Sequence, residues 1–246
     1  MIEKVEGIIL NEKSYGETSK IINLFTKEHG IIGLMAKGAK TMKSPLRSVT
    51  GKLTYGYFYI VYKQDKLSTL TNVDVLNYFK EIKMDIDKIS YASFLLELAE
   101  QVYRHNNNEV IYQLLIDALL KIEEGYDPMI ITNIIELKYL DYLGVMPILD
   151  GCCKCGSKTN ITTLSSSLGG YLCSNCKTMQ EHVNDPKTIK LVRMFYYVDI
   201  SKIEKLEIKD KYKFEINTFL DEYYERYTGL YLKSKAFIQN LNKIVK

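Results

Sequence analysis

The chain has 246 residues, and its hydrophobic content of 46% is sufficient for one large core or two smaller ones. It begins MIEKVEGIIL, without the basic segment and long apolar run of a secretion signal, and no stretch of eighteen apolar residues occurs in it. These features argue against a secreted disulfide scaffold and predict a cytoplasmic, reduced location.

Charge is distributed unevenly along the chain. The formal net charge is only +3, but residues 1–80 carry a net charge of +5, residues 81–150 of −8 and residues 151–246 of +6. Two basic regions that flank an acidic one indicate more than one kind of partner, because a basic surface attracts phosphate and an acidic surface repels it. We therefore expect the acidic segment to contact a protein rather than a phosphate-bearing partner.

Residues 1–80 contain short apolar stretches separated by turn signals, a pattern that predicts a small β-barrel of about five strands. Glycines punctuate the segment, as expected where strands bend or hairpins turn. The sequence YGET at residues 15–18 predicts a turn before the apolar strand SKIINLF. We treat residues 1–80 as a first, nucleic-acid-binding domain and residues 81–246 as a second domain.

A long stretch without carboxylates is the sharpest charge feature. Between Glu28 and Asp65, thirty-six consecutive residues contain no acidic side chain, and six are basic. Gly38, Pro45 and Gly51 predict a loop in this stretch. The loop carries five basic residues, namely Lys37, Lys40, Lys43, Arg47 and Lys52. They are candidate phosphate contacts for DNA, and a merely solvated basic loop is the alternative.

An aromatic strand, LTYGYFYIVYK, follows the loop directly. Alternation along a strand places Tyr55, Tyr57 and Tyr59 on one face and Phe58 and Ile60 on the other. Rings beside a lysine surface are typical of a groove for single-stranded nucleic acid, where bases stack on rings and cations follow the phosphates. Tyr57 is therefore a candidate DNA contact, and the alternative is that all of these rings belong to the barrel core.

From about residue 85 the apolar spacing changes from two residues to about three and a half, which predicts helices. The first begins near residue 85 and the second covers about 109–123. The third follows Asp127-Pro128, where an aspartate cap precedes a proline at the first helical position. A second such pair at Asp185-Pro186 predicts a helix over about 187–197, and the last helical region covers about 211–244.

Four cysteines form two CxxC pairs separated by seventeen residues, within an insert at about 149–178: Cys152, Cys155, Cys173 and Cys176. This is the ligand spacing of a tetrahedral structural zinc site, so we predict one structural zinc ion per chain. Cys153 is an alternative ligand to Cys152. A redox dithiol fits less well because the cysteines interrupt helical sequence, and a catalytic zinc fits less well because the histidines are scattered. His182 could replace a ligand or lie near the metal.

Sequence motifs of catalysis are absent. The chain has no Walker A sequence, no GxGxxG after a strand, no GxSxG elbow and no paired-carboxylate metal motif. We therefore predict that the protein is not an enzyme, that it has no catalytic residue, and that it uses no cofactor besides zinc.

Several stretches resemble the RecO family of bacterial recombination mediators. They are YGETSKIINLFTKEHGIIGLMAKGAK at residues 15–40, the strand containing TYGYF, the cysteine segments at 148–156 and 168–176, and GLYLKSKAFI at 229–238. The resemblance extends over essentially the whole chain. It implies an α+β fold in which an N-terminal OB-fold β-barrel is followed by an all-helical domain with an inserted four-cysteine zinc ribbon.

The resemblance also implies a function, that of a DNA repair and recombination mediator. Such a protein binds single- and double-stranded DNA, anneals complementary strands, engages the single-strand-binding protein, and with RecR helps to load RecA. A nucleoid-associated location in the cytoplasm follows. The five loop residues would supply phosphate contacts, and Arg193, Lys233 and Lys235 would extend the track. The alternatives are a zinc-ribbon interaction scaffold that binds only proteins and a nuclease.

Overall fold

The computed structural model describes residues 1–244, with side chains as far as residue 238. The chain forms two compact units, Met1–Ile86 with Leu96–Ile116, and Asp87–Leu95 with the residues from Asp117 onward. Among the helices of residues 1–244, none has both the length and the apolar character needed to cross a membrane.

The first unit is built on a closed barrel of five strands. The strands are β1 (Glu3–Tyr15), β2 (Ser19–Thr26), β3 (Gly30–Ala36), β4 (Tyr55–Val61) and β5 (Ser68–Asn77). Around the barrel they follow the order β1-β2-β3-β5-β4, in which β3 and β5 are parallel and the other recorded pairs antiparallel. This is the five-stranded arrangement of an OB-like barrel. The predicted barrel and its number of strands are confirmed.

Alternating side chains fill the barrel. Phe58 and Ile60 of β4 are fully buried, whereas Tyr55, Tyr57 and Tyr59 on its other face are half-buried. The predicted alternation is confirmed, and the alternative that every ring lies in the core is wrong. The core is mostly aliphatic and consists of Val5, Ile9, Ile22, Leu24, Leu34, Ala36, Ala39, Leu46, Phe58, Ile60, Leu70 and Val73.

A short helix and parts of two longer ones complete the first unit: α1 (Lys80–Met84), α2 (Ile86–His105) and α3 (Glu109–Glu123). Phe25 of β2 packs against Tyr103 of α2 and Tyr112 of α3, with ring centroids 4.7 and 5.2 Å away. The hydroxyls of Tyr112 and Tyr55 both donate to Glu6 Oε1, at 3.3 and 2.7 Å. Burial, with Glu6 beside it, raises the pKa of Tyr112, so its hydroxyl keeps its proton.

The second unit contains α4 (Pro128–Tyr142), the hairpin β6 (Ile161–Ser165) and β7 (Gly170–Cys173), α5 (Pro186–Tyr197), α6 (Asp210–Tyr227) and α7 (Lys233–Ile244). The side chain of Asp127 accepts from the Ile130 N–H at 3.1 Å, and that of Asp185 accepts from the Lys187 N–H at 2.9 Å. Both predicted caps are confirmed, as is the helix over 109–123. These caps satisfy N–H groups that a helix start leaves unpaired.

The prediction of one helical region over 211–244 is only partly right, because two helices occupy it. The chain leaves helical geometry between Tyr227 and Lys233, where Gly229 adopts a left-handed φ of 64°. Glycine favours this conformation and commonly ends helices. Lys235 of α7 lies 2.8 Å from Asp221 of α6, a contact across this break.

A buried ion triad connects α7 to the rest of the second unit. Lys235 Nζ lies 3.1 Å from Glu136 Oε1 and 2.8 Å from Asp221 Oδ1, and Glu136 is only 1% exposed. Burial raises the pKa of Glu136, and the Lys235 ammonium opposes that shift. The expectation that Lys235 extends a DNA-binding track is therefore wrong, because its charge is used inside the protein.

Gly56 lies where β4 shifts register against β5, and we expect a side chain at this position to destabilise the barrel. A Cβ at this position would meet the Asp74 carbonyl oxygen and would lie 3.0 Å from Val75 Cα. Both are backbone atoms that cannot rotate away, so Gly56→Ala should lower the free energy of unfolding by about 1–3 kcal/mol. Gly51→Ala is the matched control, because nothing lies within 4 Å of its Cβ. Urea unfolding of both variants checks this, and equal stability would contradict it.

The ion triad generates a second stability prediction. Lys235→Ala should cost about 3–5 kcal/mol, because it leaves the carboxylate of Glu136 buried without its cation. Lys190→Ala, at an exposed position of α5, should change stability by less than about 0.5 kcal/mol. Chemical unfolding followed by circular dichroism compares the two. A Lys235→Ala variant as stable as the Lys190→Ala variant would show that the triad is not a net stabilising element.

Candidate metal centre and nucleic-acid surface

The four cysteines of the predicted zinc site lie together at one end of the β6–β7 hairpin. Backbone bonds shape a tight turn at each pair, from the Gly156 N–H to the Cys152 carbonyl at 2.8 Å and from the Cys176 N–H to the Cys173 carbonyl at 3.1 Å. The sulfur atoms of Cys152, Cys155, Cys173 and Cys176 all lie within 4.8 Å of one another. Those four residues are called the cysteine cluster below.

The distances in the cysteine cluster fit a tetrahedral metal ion. A Zn–S bond of about 2.3 Å places sulfur atoms about 3.8 Å apart at the corners of a tetrahedron. The Sγ atoms of Cys155 and Cys173 are 3.7 Å apart. Four thiolates are also a donor set that zinc prefers. The four residues could therefore hold one zinc ion, whose bound form would link the two turns.

Ionisation within the cysteine cluster is uneven. Burial raises the pKa of Cys152, but hydrogen bonds from the backbone N–H groups of Cys173, Cys155 and Lys154 outweigh it and lower that pKa to about 6. Hydrogen bonds with the thiols of Cys155 and Cys173 raise the pKa of Cys176 to about 12. Neighbouring thiolates repel one another, so a divalent cation is what allows all four to be charged together.

Cys153 and His182 do not join the cysteine cluster. Cys153 is half-buried, and burial raises the pKa of its thiol, which favours the protonated form. Its backbone N–H donates to the Tyr171 carbonyl at 2.8 Å. His182 is exposed and lines a separate cavity of about 490 Å³ beside α6. The structure thus assembles Cys152 rather than Cys153 with the other three.

The basic loop, residues 37–54, is anchored to the barrel. Ala39 and Leu46 belong to the core, and the Thr50 hydroxyl donates to the Leu46 carbonyl at 2.7 Å. Successive turns connect the remaining residues. All five predicted phosphate contacts are exposed on it: Lys37, Lys40, Lys43, Arg47 and Lys52. The loop therefore presents its cations from a backbone held in place.

The five basic side chains differ in their surroundings. Lys40 Nζ lies 3.4 Å from the Gly16 carbonyl oxygen, a contact that a phosphate can replace. Lys52 is exposed as a residue but its ammonium is partly desolvated, which lowers its pKa, while the carboxylates of Glu97 and Glu12 act in the opposite direction. Lys52 thus already has carboxylates near it, which makes it the weakest candidate of the five.

Tyr57 is surrounded by charged residues from two neighbouring strands, which the local sequence did not indicate. Lys4 Nζ is 4.0 Å from the centre of its ring, and its cross-strand partners are Glu6 and Asp74. The flanking tyrosines donate to the same two carboxylates. Sequence reasoning missed Lys4, because only the register of β1 against β4 brings it to the ring.

An OB-like barrel joined to helices with a four-cysteine hairpin defines a class of two-unit proteins with one cysteine ribbon that could hold a metal ion. Two family models match the chain, "Recombination protein O N terminal" over residues 1–79 and "Recombination protein O C terminal" over residues 83–236. The chain therefore belongs to the RecO family of DNA repair proteins.

Relatives from several bacteria agree with this assignment, and each carries the name DNA repair protein RecO. The protein of Listeria monocytogenes serotype 4a is 36% identical over 245 residues, which cover 98% of this chain and 96% of the relative. That of Bacillus cytotoxicus is 36% identical over 251 residues, covering 99% of each chain. That of Bacillus subtilis is 35% identical over 247 residues, covering 99% and 96%.

The cysteine cluster predicts a difference between two adjacent thiols. Cys152→Ser should lose bound zinc on dialysis against a chelator, since three thiolates hold the ion less firmly than four. Cys153→Ser is the matched control and should retain one zinc ion per chain, because its sulfur lies outside the cluster. Elemental analysis by mass spectrometry measures the zinc content. If the Cys152→Ser variant retained its zinc and the Cys153→Ser variant lost it, Cys153 would be the ligand instead of Cys152.

Proposed function

We propose that the protein is a DNA repair and recombination mediator. It binds single- and double-stranded DNA, anneals complementary strands, and with RecR helps to load RecA onto strands coated by the single-strand-binding protein. The observation that carries this proposal is the family match, which covers almost the whole chain and both units. The proposed activity makes and breaks no covalent bond, so we propose a protein that is not an enzyme and that works in the cytoplasm at the nucleoid.

The exposed cations of the basic loop support the proposed DNA binding. Lys37, Lys43 and Arg47 stand on an anchored backbone, where each can meet a phosphate group at little cost in loop order. Contacts to the phosphate backbone imply little sequence preference. Arg47 can bond one phosphate through two N–H groups, so its loss should weaken binding more than that of any single lysine.

Tyr57 is retained as a proposed aromatic contact. Its ring face is covered by the Lys4 ammonium, 4.0 Å from the ring centre. A base that stacked there would displace this cation, which could then meet a phosphate of the same strand. Lys52 and Lys40 are proposed as further phosphate contacts of the basic loop.

The proposed role of zinc is structural, with one ion per chain. One small cluster at the ribbon groups the buried residues Cys152, Leu172 and Cys173 with a few half-buried neighbours. So small a core supplies little stability alone, whereas thiolate coordination supplies about 10–16 kcal/mol in zinc peptides. We propose that the ion orders the ribbon and leaves DNA contacts to the barrel unit.

The DNA-binding proposal is tested by the dependence of affinity on salt. Replacing Lys37, Lys40 and Lys43 together with Ala should weaken single-strand binding and flatten its logarithmic salt dependence by about 0.7 per lost contact, about 2 in total. The matched control is the triple alanine variant of the exposed residues Lys202, Lys205 and Lys209 of the second unit, with the same change of charge. Fluorescence anisotropy of a labelled strand measures both slopes.

Three results of that titration carry different meanings. If the salt dependence flattens only in the basic-loop variant, the basic loop contacts phosphates as proposed. Equal salt dependence in both variants would contradict that assignment. If the parent protein binds no strand at low salt, the scaffold alternative, which binds only proteins, replaces DNA binding. Accelerated annealing of complementary strands in the same samples tests the second half of the proposed activity.

A further inference from the structure

A groove of about 430 Å³ lies on the barrel unit, outside the basic loop. It is formed by the β2–β3 turn, the first residues of β3 and the β4–β5 hairpin. The residues that matter here are His29, Ile32, Tyr62, Lys63, Asp65 and Lys66, and they define the hairpin groove. In barrels of this type, β3 and the β4–β5 loop belong to the surface that binds oligonucleotides.

A pair of stacked rings lines the hairpin groove. The rings of His29 and Tyr62 are 4.2 Å apart at an interplanar angle of 12°. Glu3 Oε2 lies 3.1 Å from His29 Nε2 and fixes the imidazole, while Tyr62 packs against the barrel core. The Thr26 hydroxyl accepts from the His29 N–H at 2.9 Å and holds the turn. A flat aromatic platform therefore exists before any ligand arrives.

Cations stand beside this platform. Lys63 and Lys66 are both exposed in the hairpin groove, where Asp65 is the carboxylate among the lining residues. The Lys63 N–H donates to Ser68 Oγ at 2.9 Å, which fixes one end of the hairpin. Stacked rings next to lysines are the two components with which proteins hold single-stranded nucleic acid, one for bases and one for phosphates.

We propose that the hairpin groove holds a base of a single DNA strand on the His29–Tyr62 pair, with Lys63 and Lys66 contacting the adjacent phosphates. The site is additional to the basic loop and rests on the proposed DNA binding. It is connected to that loop by β3, which runs from the groove to Ala36, where the loop begins. Seven residues of strand span about 20 Å, so one DNA strand can engage both sites.

The first test uses the absence of tryptophan from the chain. In the 246-residue chain, Tyr62→Trp places one indole in the hairpin groove, and Tyr231→Trp, at an exposed position of the second unit, is the control. Saturation with oligothymidine should quench the emission of the Tyr62→Trp variant. An abasic strand of equal length and charge should leave the emission of the Tyr62→Trp variant unchanged. Neither strand should quench the emission of the Tyr231→Trp variant. Thermal unfolding checks that both variants are folded.

The second test separates stacking from charge. His29→Ala should weaken strand binding about tenfold through the loss of one stacked base. The double variant Lys63→Ala with Lys66→Ala should flatten the slope of log affinity against log salt by about 1.4. Replacing the exposed residues Lys13 and Lys80 with Ala is the control and should leave that slope unchanged.

The outcomes distinguish base stacking in the hairpin groove from the proposed DNA binding of the whole protein. If a labelled strand binds while emission from the Tyr62→Trp variant stays constant, the hairpin groove is not the site and the proposed DNA binding stands. Equal quenching by the abasic strand, or equal quenching of the Tyr231→Trp variant, also overturns base stacking at this position. If no strand binds the parent protein, both proposals fail together.

Discussion

The order of strands in the barrel sets what the first unit presents to solvent. Because β3 pairs with β5 and β4 pairs with β1, the chain that leaves Ala36 cannot return through a tight hairpin into β4. It has to cross from one side of the barrel to the other, and residues 37–54 make this crossing. Ala39 and Leu46 enter the core along the way. The basic loop is therefore long because of topology and ordered because of burial, and its charged side chains point away from the buried ones.

The cysteine cluster follows from a local constraint instead. Two tight turns direct sulfur atoms towards a common point, and each is closed by backbone N–H groups that donate to the carbonyl of the first cysteine of its pair. The β6–β7 hairpin holds the turns near each other. Spacing alone therefore identified the four cysteines, and cap residues alone identified the starts of α4 and α5. In each case the residues that decide the structure lie within a few positions of one another. Local sequence is sufficient where the partners are local.

Features that depend on distant partners could not be predicted in this way. Lys235 was expected to extend a DNA-binding track, but it pairs with Glu136, which lies 99 positions earlier in the chain. Likewise, Lys4 reaches the Tyr57 ring only through the register of β1 against β4. The break between α6 and α7 had a local signal in Gly229, yet a single glycine is compatible with a continuous helix. Strand register determines the Lys4 contact, and tertiary packing determines the Lys235 ion triad and the break between α6 and α7.

If the barrel binds DNA as proposed, the location of charge, rather than the net charge of a segment, determines which path the strand would take. The outer face of β4 carries tyrosines that donate to the carboxylates of Glu6 and Asp74, and such carboxylates repel phosphate. In contrast, the sequences of β2, SKIINLFT, and β3, GIIGLMA, contain no acidic residue. At one end of β3 lies the hairpin groove, and at the other the basic loop begins. A phosphate backbone that follows β3 therefore meets lysines at both ends, with Glu3 and Asp65 also present at the groove end, and no carboxylate of β2 or β3 between them. A path along β4 passes Glu6 and Asp74. By strand carboxylates alone, the β2–β3 face is the more favourable route for a single strand, and the proposed contact at Tyr57 would depend on Lys4 to offset Glu6 and Asp74.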